Sequence, residues 1–197
     1  MKKNIFLFLF VTLGIQQIYA DYNGTITVNS QSLSFEQKDG YNIIKLESYN
    51  FLTQPGAPRL PAKNFMYIIP FDKKVISISI TNITEQNISG TFSIYPAQEA
   101  YIPDATPVFT QPNPAIYNTN TFWPNLCITM GGNHTMSGTK LISLMFCPVK
   151  YNPVTGEARL ITSVTFTLTY AVTGTHLSGL INESPSMNGG DYGFRNV

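Results

Sequence analysis

Two cysteines and two histidines are the side chains of this 197-residue sequence best suited to nucleophilic catalysis or metal binding. Cys127 or Cys147, paired with His134 or His176, could form a thiolate–imidazolium dyad that attacks a carbonyl carbon. Neither cysteine, however, lies in a Gly-rich turn between a strand and a helix, which would expose a nucleophile. The four residues also lack the spacing of zinc ligands. The sequence therefore predicts a chain that is not an enzyme and that holds no metal or cofactor.

The same two cysteines are candidates for a disulfide. In an oxidising compartment, a Cys127–Cys147 bond would close a loop of moderate length and stabilise the fold by ~3 kcal/mol in the chain-entropy model. The apolar neighbours Ile128 and Phe146 are typical of core strands, where two buried free thiols fit equally well. The sequence leaves both states open.

The N-terminus has the order of a secretory signal. A short basic start precedes an apolar run from Ile5 to Val11, and Ala20 offers a small residue for cleavage before Asp21. This order predicts a signal peptide over residues 1–20. Its apolar core is shorter than the ~20 residues of a membrane span. We expect the mature chain to be secreted, in the periplasm, at the cell surface or outside the cell, with no stable membrane insertion.

Composition narrows the class of partner. The formal net charge is +1 and charged residues make up only 12% of the chain. A nearly neutral chain argues against nucleic acid as a partner, because phosphate binding needs clustered Lys and Arg. The abundance of hydroxyl, amide and aromatic side chains is typical of an extracellular β-protein.

Period-two alternation indicates strands that are buried on one face. The longest example runs from Leu160 to Tyr170, where apolar residues alternate with Thr and Ser. A second example places Ile76, Ile78 and Ile80 on one face. These patterns predict half-buried strands of an antiparallel sheet.

Shorter strands are predicted from apolar runs that end at a turn or at a proline. A hairpin is predicted across Lys38-Asp39-Gly40, because Gly ends a short turn between two apolar runs. Three further runs end at or near a proline, which cannot continue a sheet ladder. These are Leu141 to Phe146, Phe65 to Ile69 and Thr91 to Tyr95.

The fold class follows from this organisation. No segment shows capped helical spacing over three turns, and 13 Pro and 14 Gly would break most candidate helices. Short strands with turn signals between them predict an all-β fold, an antiparallel, jelly-roll-like β-sandwich. Its exception is one long Pro-rich loop, Ala97 to Pro124. We assign this domain to residues 21–176 and a flexible tail or linker to residues 177–197.

Two Pro-rich motifs carry a resemblance to a known family. The first motif, Pro55-Gly56-Ala57-Pro58-Arg59-Leu60-Pro61, resembles a Gly-x-Pro-x-Leu-Pro element that precedes a strand in gingipain prodomains. The second motif runs from Cys147 to Leu160 and resembles the Pro-x-x-Tyr-Asn-Pro-x-Thr segment between the last two strands of that domain. Phe122-Trp123-Pro124 falls where that family has an aromatic pair before proline. The chain is thus similar to gingipain-type cysteine peptidase propeptides from about Leu33 to Gly174.

The resemblance implies a role without catalysis by this chain. In such propeptides a β-sandwich covers the active site of a caspase-like catalytic domain, present in cis or in trans, and so inhibits it and assists its folding. A loop enters the substrate cleft with a basic side chain. By order along the chain that loop falls within residues 99–107, and its candidate contact residues are Glu99, Tyr101, Ile102 and Asp104.

This loop departs from the family pattern. Ala97 to Asn113 contains no Lys or Arg. Two interpretations follow: the cognate enzyme does not prefer basic residues, or the domain no longer inhibits. A plain connection of the sandwich is a third reading, since long ordered loops need not be functional.

A different class of function is also consistent with the residues. Tyr101, Tyr117, Phe122 and Trp123 could present aromatic faces, which suit sugar rings and protein partners. The alternative hypothesis is therefore a stand-alone secreted β-sandwich binding module for a glycan or a surface protein. Core packing of Phe122 and Trp123 is the competing reading of the same side chains.

Overall fold

The computed structural model describes residues 21–100, 103, 106 and 108–172. Several sequence predictions fall outside the described residues. They are the signal peptide with Ala20, three residues of the candidate loop (Tyr101, Ile102 and Asp104), His176, the end of the assigned domain and the tail 177–197. Asp21, on the other side of the predicted cleavage site, is described and is exposed.

Strands make up most of the described part of the chain. It contains ten strands, one turn of 3-10 helix and one short α-helix. In chain order they are β1 (Tyr22–Thr27), the 3-10 turn (Ser30–Ser32), β2 (Leu33–Lys38), β3 (Tyr41–Leu46), β4 (Asn50–Phe51), β5 (Pro61–Ile68), β6 (Lys73–Ile88), α1 (Pro114–Tyr117), β7 (Ile128–Met136), β8 (Thr139–Phe146), β9 (Val149–Tyr151) and β10 (Ala158–Val172).

These strands form three antiparallel sheets. In the first sheet β10 lies between β1 and β6, and β9 pairs with the beginning of β10. The second sheet is the β2–β3 hairpin. The third has the order β4-β5-β8-β7. The all-β prediction is confirmed, and the arrangement is consistent with a sandwich; the jelly-roll detail stays a prediction.

One hydrophobic core connects the sheets. Phe166 and Leu168 of β10 are fully buried in it, as are Leu144 and Phe146 of β8, and Ile44 of β3 joins the same cluster. Burial of each such side chain stabilises the fold by roughly 1.5–3 kcal/mol relative to exposure. The core therefore joins the two larger sheets and the hairpin into one packed unit.

The burial of side chains along β10 matches the alternation in its sequence. Val164, Phe166 and Leu168 are fully buried on one face, while Thr165 and Thr167 lie half-buried on the other. The period-two pattern matches the alternation of side chains in a pleated strand. This prediction is confirmed.

Strand β6 corrects the predicted face of one isoleucine. Thr169 pairs with Ser77 and Tyr170 pairs with Val75, so Ile76 has no partner in the ladder. This β-bulge turns Val75 into the core and leaves Ile76 51% exposed, whereas Ile78 and Ile80 pack against the core as predicted. The grouping of Ile76 with the other two was wrong because one extra residue reverses the alternation.

The predicted hairpin forms between β2 and β3. Asp39 and Gly40 both adopt positive φ angles, 52° and 82°, in a two-residue turn. Such a turn matches the right-handed twist of the flanking strands. The predicted strand from Thr91 to Tyr95, by contrast, makes a single bridge between Ile94 and Asn42. It is an extended segment rather than a strand.

Candidate functional site

The two ends of the candidate loop are joined by side-chain hydrogen bonds. Gln98 Oε1 accepts from the Thr110 amide at 2.8 Å, and Gln98 Nε2 donates to the carbonyls of Pro96 at 2.9 Å and Thr110 at 3.3 Å. The Glu99 amide donates to Thr110 Oγ1 at 3.2 Å. We call Gln98, Glu99 and Thr110 the loop stem. It fixes the distance between the two ends of the candidate loop, and Glu99 is exposed where that loop begins.

Three aromatic rings support the loop stem from the hairpin side. Phe109 stacks on Tyr41 with ring centroids 6.2 Å apart and meets Tyr95 edge-on at 5.8 Å. Tyr41 and Tyr95 also meet edge-on at 5.9 Å. Each such pair contributes roughly 0.5–1.5 kcal/mol beyond the area buried. The returning end of the loop is therefore packed against β3.

The first motif joins both ends of the loop through one glycine. The Gly56 amide donates to the Ala97 carbonyl at 2.8 Å, and the Gly56 carbonyl accepts from the Asn113 amide at 2.8 Å. Gly56 has a φ of +74°, and a Cβ there would meet the Gln111 carbonyl oxygen at 3.1 Å. Both the left-handed backbone and the close approach require glycine.

The rest of the first motif lies alongside the segment that enters the loop. The Ala97 amide donates to the Ala57 carbonyl at 2.8 Å, and the Arg59 amide donates to the Tyr95 carbonyl at 2.9 Å. Pro58 and Pro96 face each other in the antiparallel bridge between these bonds. Because the hydrogen bonds come from the residues on either side, the paired positions need no amide hydrogen, and proline, which has none, fits both of them.

The second motif contacts the segment that enters the loop through the side chain of Tyr151. Tyr151 is 1% exposed, and its Oη donates to the Phe92 carbonyl at 3.1 Å and accepts from the Ile94 amide at 3.4 Å. Burial raises the pKa of Tyr151, so the phenol keeps its proton. The backbone of Tyr151 exchanges hydrogen bonds with Trp123 at 2.8 and 2.9 Å. The tyrosine thus bridges β9 and the approach to the loop.

Asn152 shapes the turn that follows. It is 6% exposed, and its Oδ1 accepts from the amides of Val154 at 3.1 Å and Thr155 at 3.4 Å. Its Nδ2 donates to Asn120 Oδ1 at 2.8 Å. This satisfies a buried amide that would be costly if left unpaired. The Gly156 carbonyl in the same turn accepts from the Phe92 amide at 2.9 Å. Both motifs therefore hold residues 92–97.

The cysteines lie side by side at the end of the β7–β8 ladder. The Cys147 amide donates to the Cys127 carbonyl at 2.8 Å, and the two residues are 3% and 2% exposed. The structure holds both as free thiols, one of the two states that the sequence left open. Burial raises the pKa of Cys147 to about 12 and also raises that of Cys127, which disfavours a nucleophilic thiolate.

Within the described part of the chain, no histidine lies next to these cysteines. His134 pairs with Leu141 of β8, six residues before Cys147, which corresponds to ~20 Å of extended chain. Its Nε2 lies 3.3 Å from Ser143 Oγ on the same sheet. His176 lies outside the described residues. Among the residues described, no three His, Cys, Asp or Glu side chains form a metal-binding group, and no helix could cross a bilayer.

The candidate aromatic face is largely occupied by contacts within the domain. Tyr117 and Trp123 pack against the core, and Tyr117 Oη donates to the Ile94 carbonyl at 2.7 Å. The Arg159 guanidinium lies 4.4 Å from the centroid of the Phe122 ring. Tyr101 lies outside the described residues. The three described rings are half-buried and serve the fold.

Comparison with protein families gives a match that covers most of the chain. The model of Propeptide_C25 matches residues 25–188 and so includes both motifs and the loop between them. The chain belongs to the Propeptide_C25 family. The sequence resemblance to gingipain-type propeptides is thereby confirmed. Among the curated proteins no match was found.

Solved structures of this class share the fold. One is the complex of Porphyromonas gingivalis RgpB pro- and mature domains, with a TM-score of 0.64 and 15% identity over 78% of this chain and 81% of that chain. Another concerns the zymogenic latency of gingipain K from Porphyromonas gingivalis, with a TM-score of 0.60 and 16% identity over 77% of this chain and 100% of that chain. At these identities the likeness concerns architecture.

The sequence pointed to the two motifs of this Propeptide_C25 domain but not to the residues that close the loop. The motifs were recognised from their prolines, but the stem residues Gln98 and Thr110 and the supporting Phe109 were not. Twelve positions separate Gln98 from Thr110, and no periodicity links them. The signal available was indirect: a Pro-rich stretch needs partners for its backbone groups.

Proposed function

We propose that this domain is a secreted prodomain that covers the active-site cleft of a caspase-like cysteine peptidase, inhibits it and assists its folding. The observation that carries the proposal is the double support of the loop: both family motifs bond to residues 92–97, which lead directly into the stem. A loop whose two ends are held in advance loses less conformational entropy on entering a cleft than one with free ends. The domain needs no catalytic group of its own for this role.

The loop differs from a mimic of a basic substrate. Residues 97–113 contain no Lys or Arg, so the loop would occupy the cleft through its backbone and its neutral and acidic side chains. We therefore expect a target peptidase whose specificity pocket does not require a basic residue. Glu99, one of the four candidate contact residues, belongs to the loop stem and is exposed.

The test is inhibition in trans. The purified chain beginning at Asp21 is mixed with the mature domain of RgpB and with other gingipain-type catalytic domains, and residual peptidase activity is measured against domain concentration. We expect saturable inhibition by at least one enzyme and weaker inhibition by Gln98→Ala, which loosens the stem. Gln86→Ala, an exposed glutamine on β6, is the matched control. No complex and no inhibition at micromolar concentration with any of these enzymes would refute the proposal.

Export is a separate part of the proposal. Expression of the full chain in a bacterium, followed by fractionation and N-terminal sequencing, should yield a product that starts at Asp21 outside the cytoplasm. Replacing an apolar residue of the run with Arg, as in Leu7→Arg, should block this processing. A full-length product in the cytoplasm would contradict export.

A further inference from the structure

A groove of about 430 Å³ runs beside the loop stem, and two cations lie along it. Lys38 comes from the end of β2, and Arg59 comes from the first motif. Gln98 and Glu99 of the stem line the same groove. Whatever contacts the loop at its base therefore lies close to both cations.

Aromatic rings hold the two cationic groups in place. The Arg59 guanidinium carbon lies 4.2 Å from the centroid of Phe51, and Lys38 Nζ lies 5.2 Å from the centroid of Tyr95. Both rings line the groove. A cation over an aromatic face is attracted by the ring quadrupole, and the contact restricts the freedom of a long side chain. The charges are thus presented at defined positions.

Neither cation is neutralised by an ion pair within the described part of the chain. Other cations there do have carboxylate partners: Lys150 lies 2.5 Å from Glu85, and Arg159 lies 2.8 Å from Glu157. For Lys38 and Arg59, no Asp or Glu oxygen of the described residues lies within 4.0 Å. Two carboxylates are in the vicinity: Glu99 borders the same groove, and Glu36, which is paired with Lys45, interacts with both cations at longer range. The groove therefore offers positive charge to an external acidic group.

We propose that the Lys38–Arg59 groove binds an acidic side chain of a protein partner, and that this partner is the inhibited peptidase. The assignment of the partner rests on the proposed function, whereas the class of ligand does not. The guanidinium offers a planar pair of donors that matches a carboxylate, and the ammonium adds a second charge. The contact would orient the domain so that the neighbouring loop meets the cleft.

The ligand class is tested without any peptidase. The ¹⁵N-labelled chain beginning at Asp21 is titrated with an acetylated, amidated tri-glutamate peptide, with tri-glutamine as the control, and backbone amide shifts are followed by NMR. We expect saturable shifts at Phe51 and Gln98 with tri-glutamate alone, and their loss in the double variant Lys38→Gln, Arg59→Gln. The Glu99→Gln variant should bind tri-glutamate more tightly, because it lacks a negative charge that repels the peptide's carboxylates.

Lys63→Gln is the matched control for the double variant. Lys63 also lies over aromatic rings, at 5.4 Å from Tyr49 and 5.6 Å from Phe65, but it does not line the groove. Its shifts with tri-glutamate should equal those of the unmodified chain. Absence of saturable shifts, equal shifts with tri-glutamine, or binding retained in the double variant would each overturn the carboxylate site.

The identity of the partner is tested with the complex. Lys38→Glu with Arg59→Glu should weaken inhibition by about tenfold or more and remove most of its dependence on salt, whereas Lys63→Glu should not. Inhibition unchanged by the charge reversal would overturn the assignment of the peptidase as the partner while leaving the proposed function intact. No inhibition by the unmodified chain would refute the proposed function, and the peptide titration would still decide the ligand class.

Discussion

The two Pro-rich motifs hold the same loop in different ways. The first motif works through its backbone: Gly56 bonds to Ala97 on one side of the loop and to Asn113 on the other. The second motif works through a side chain: the Tyr151 hydroxyl bonds to Phe92 and Ile94, upstream of the stem. One motif depends on a conformation, and the other depends on a chemical group and on a buried ring.

The difference predicts how each motif tolerates change. Side chains in the first motif can vary where the backbone ladder is preserved, but Gly56 cannot accept a Cβ without strain. In the second motif Tyr151 contributes to the core as well as to the loop, so its loss affects the whole domain. The two motifs can therefore be separated by measuring global stability and local loop protection in the same variants.

The largest expected effect is at Tyr151. Tyr151→Ala should lower the free energy of unfolding by about 3–5 kcal/mol, because it removes a fully buried aromatic ring. Tyr151→Phe keeps the ring and should cost about 1 kcal/mol through the two lost hydrogen bonds. Urea unfolding followed by circular dichroism measures both. Equal losses in the two variants would show that the hydroxyl, rather than the ring, dominates.

The next effect is at Gly56. Gly56→Ala should cost about 1–2 kcal/mol, because a residue with a Cβ is strained at φ +74°. Gly138→Ala is the matched control, since Gly138 has a φ of +78° with nothing within 4 Å of an added Cβ. Both variants should lose stability, but limited proteolysis should cut the loop faster in Gly56→Ala alone. Equal cleavage rates would contradict the role of Gly56 in joining the two ends of the loop.

A smaller global effect is expected at Gln98. Gln98→Ala should change the free energy of unfolding by less than about 0.5–1 kcal/mol, because the side chain is only partly buried. Amide hydrogen exchange at Thr110 should nevertheless become faster, since its acceptor is removed. Gln86→Ala should change neither quantity. Unaltered exchange at Thr110 would show that the rings around Phe109 hold the stem without the glutamine.

The smallest effect concerns the thiols where the second motif begins. Cys147 Sγ donates to the Val149 carbonyl at 3.3 Å, and burial raises its pKa to about 12, so the thiol keeps its proton at neutral pH. In the native protein both cysteines should react slowly with a thiol reagent, and in urea without reductant both should react fully. An unfolded chain with no reactive thiol would instead demonstrate the Cys127–Cys147 disulfide.

Strand β1 and the face of Ile76 in β6 show where sequence patterns fail to predict the structure. No strand was predicted over Tyr22–Thr27, where Asn23-Gly24 is a pair of residues typical of turns. In the structure Gly24 lies within the strand and pairs with Phe166 of β10, whose ring leaves no room for a Cβ: an added one would meet it at 2.5 Å. Ile76 was assigned to the wrong face because a bulge interrupts the ladder. In both cases a distant strand decided the outcome.

The sequence by itself determined the all-β class, the hairpin at Asp39-Gly40 and the long central strand β10. These features follow from alternation and turn chemistry, which act between residues close in the chain. It also identified both Pro-rich motifs and the candidate loop between them. Only the tertiary structure decided that the motifs converge on residues 92–97, that Gln98 meets Thr110, and that Lys38 and Arg59 share one groove. Such contacts join segments far apart in sequence, and their energy exists only after the sheets have packed.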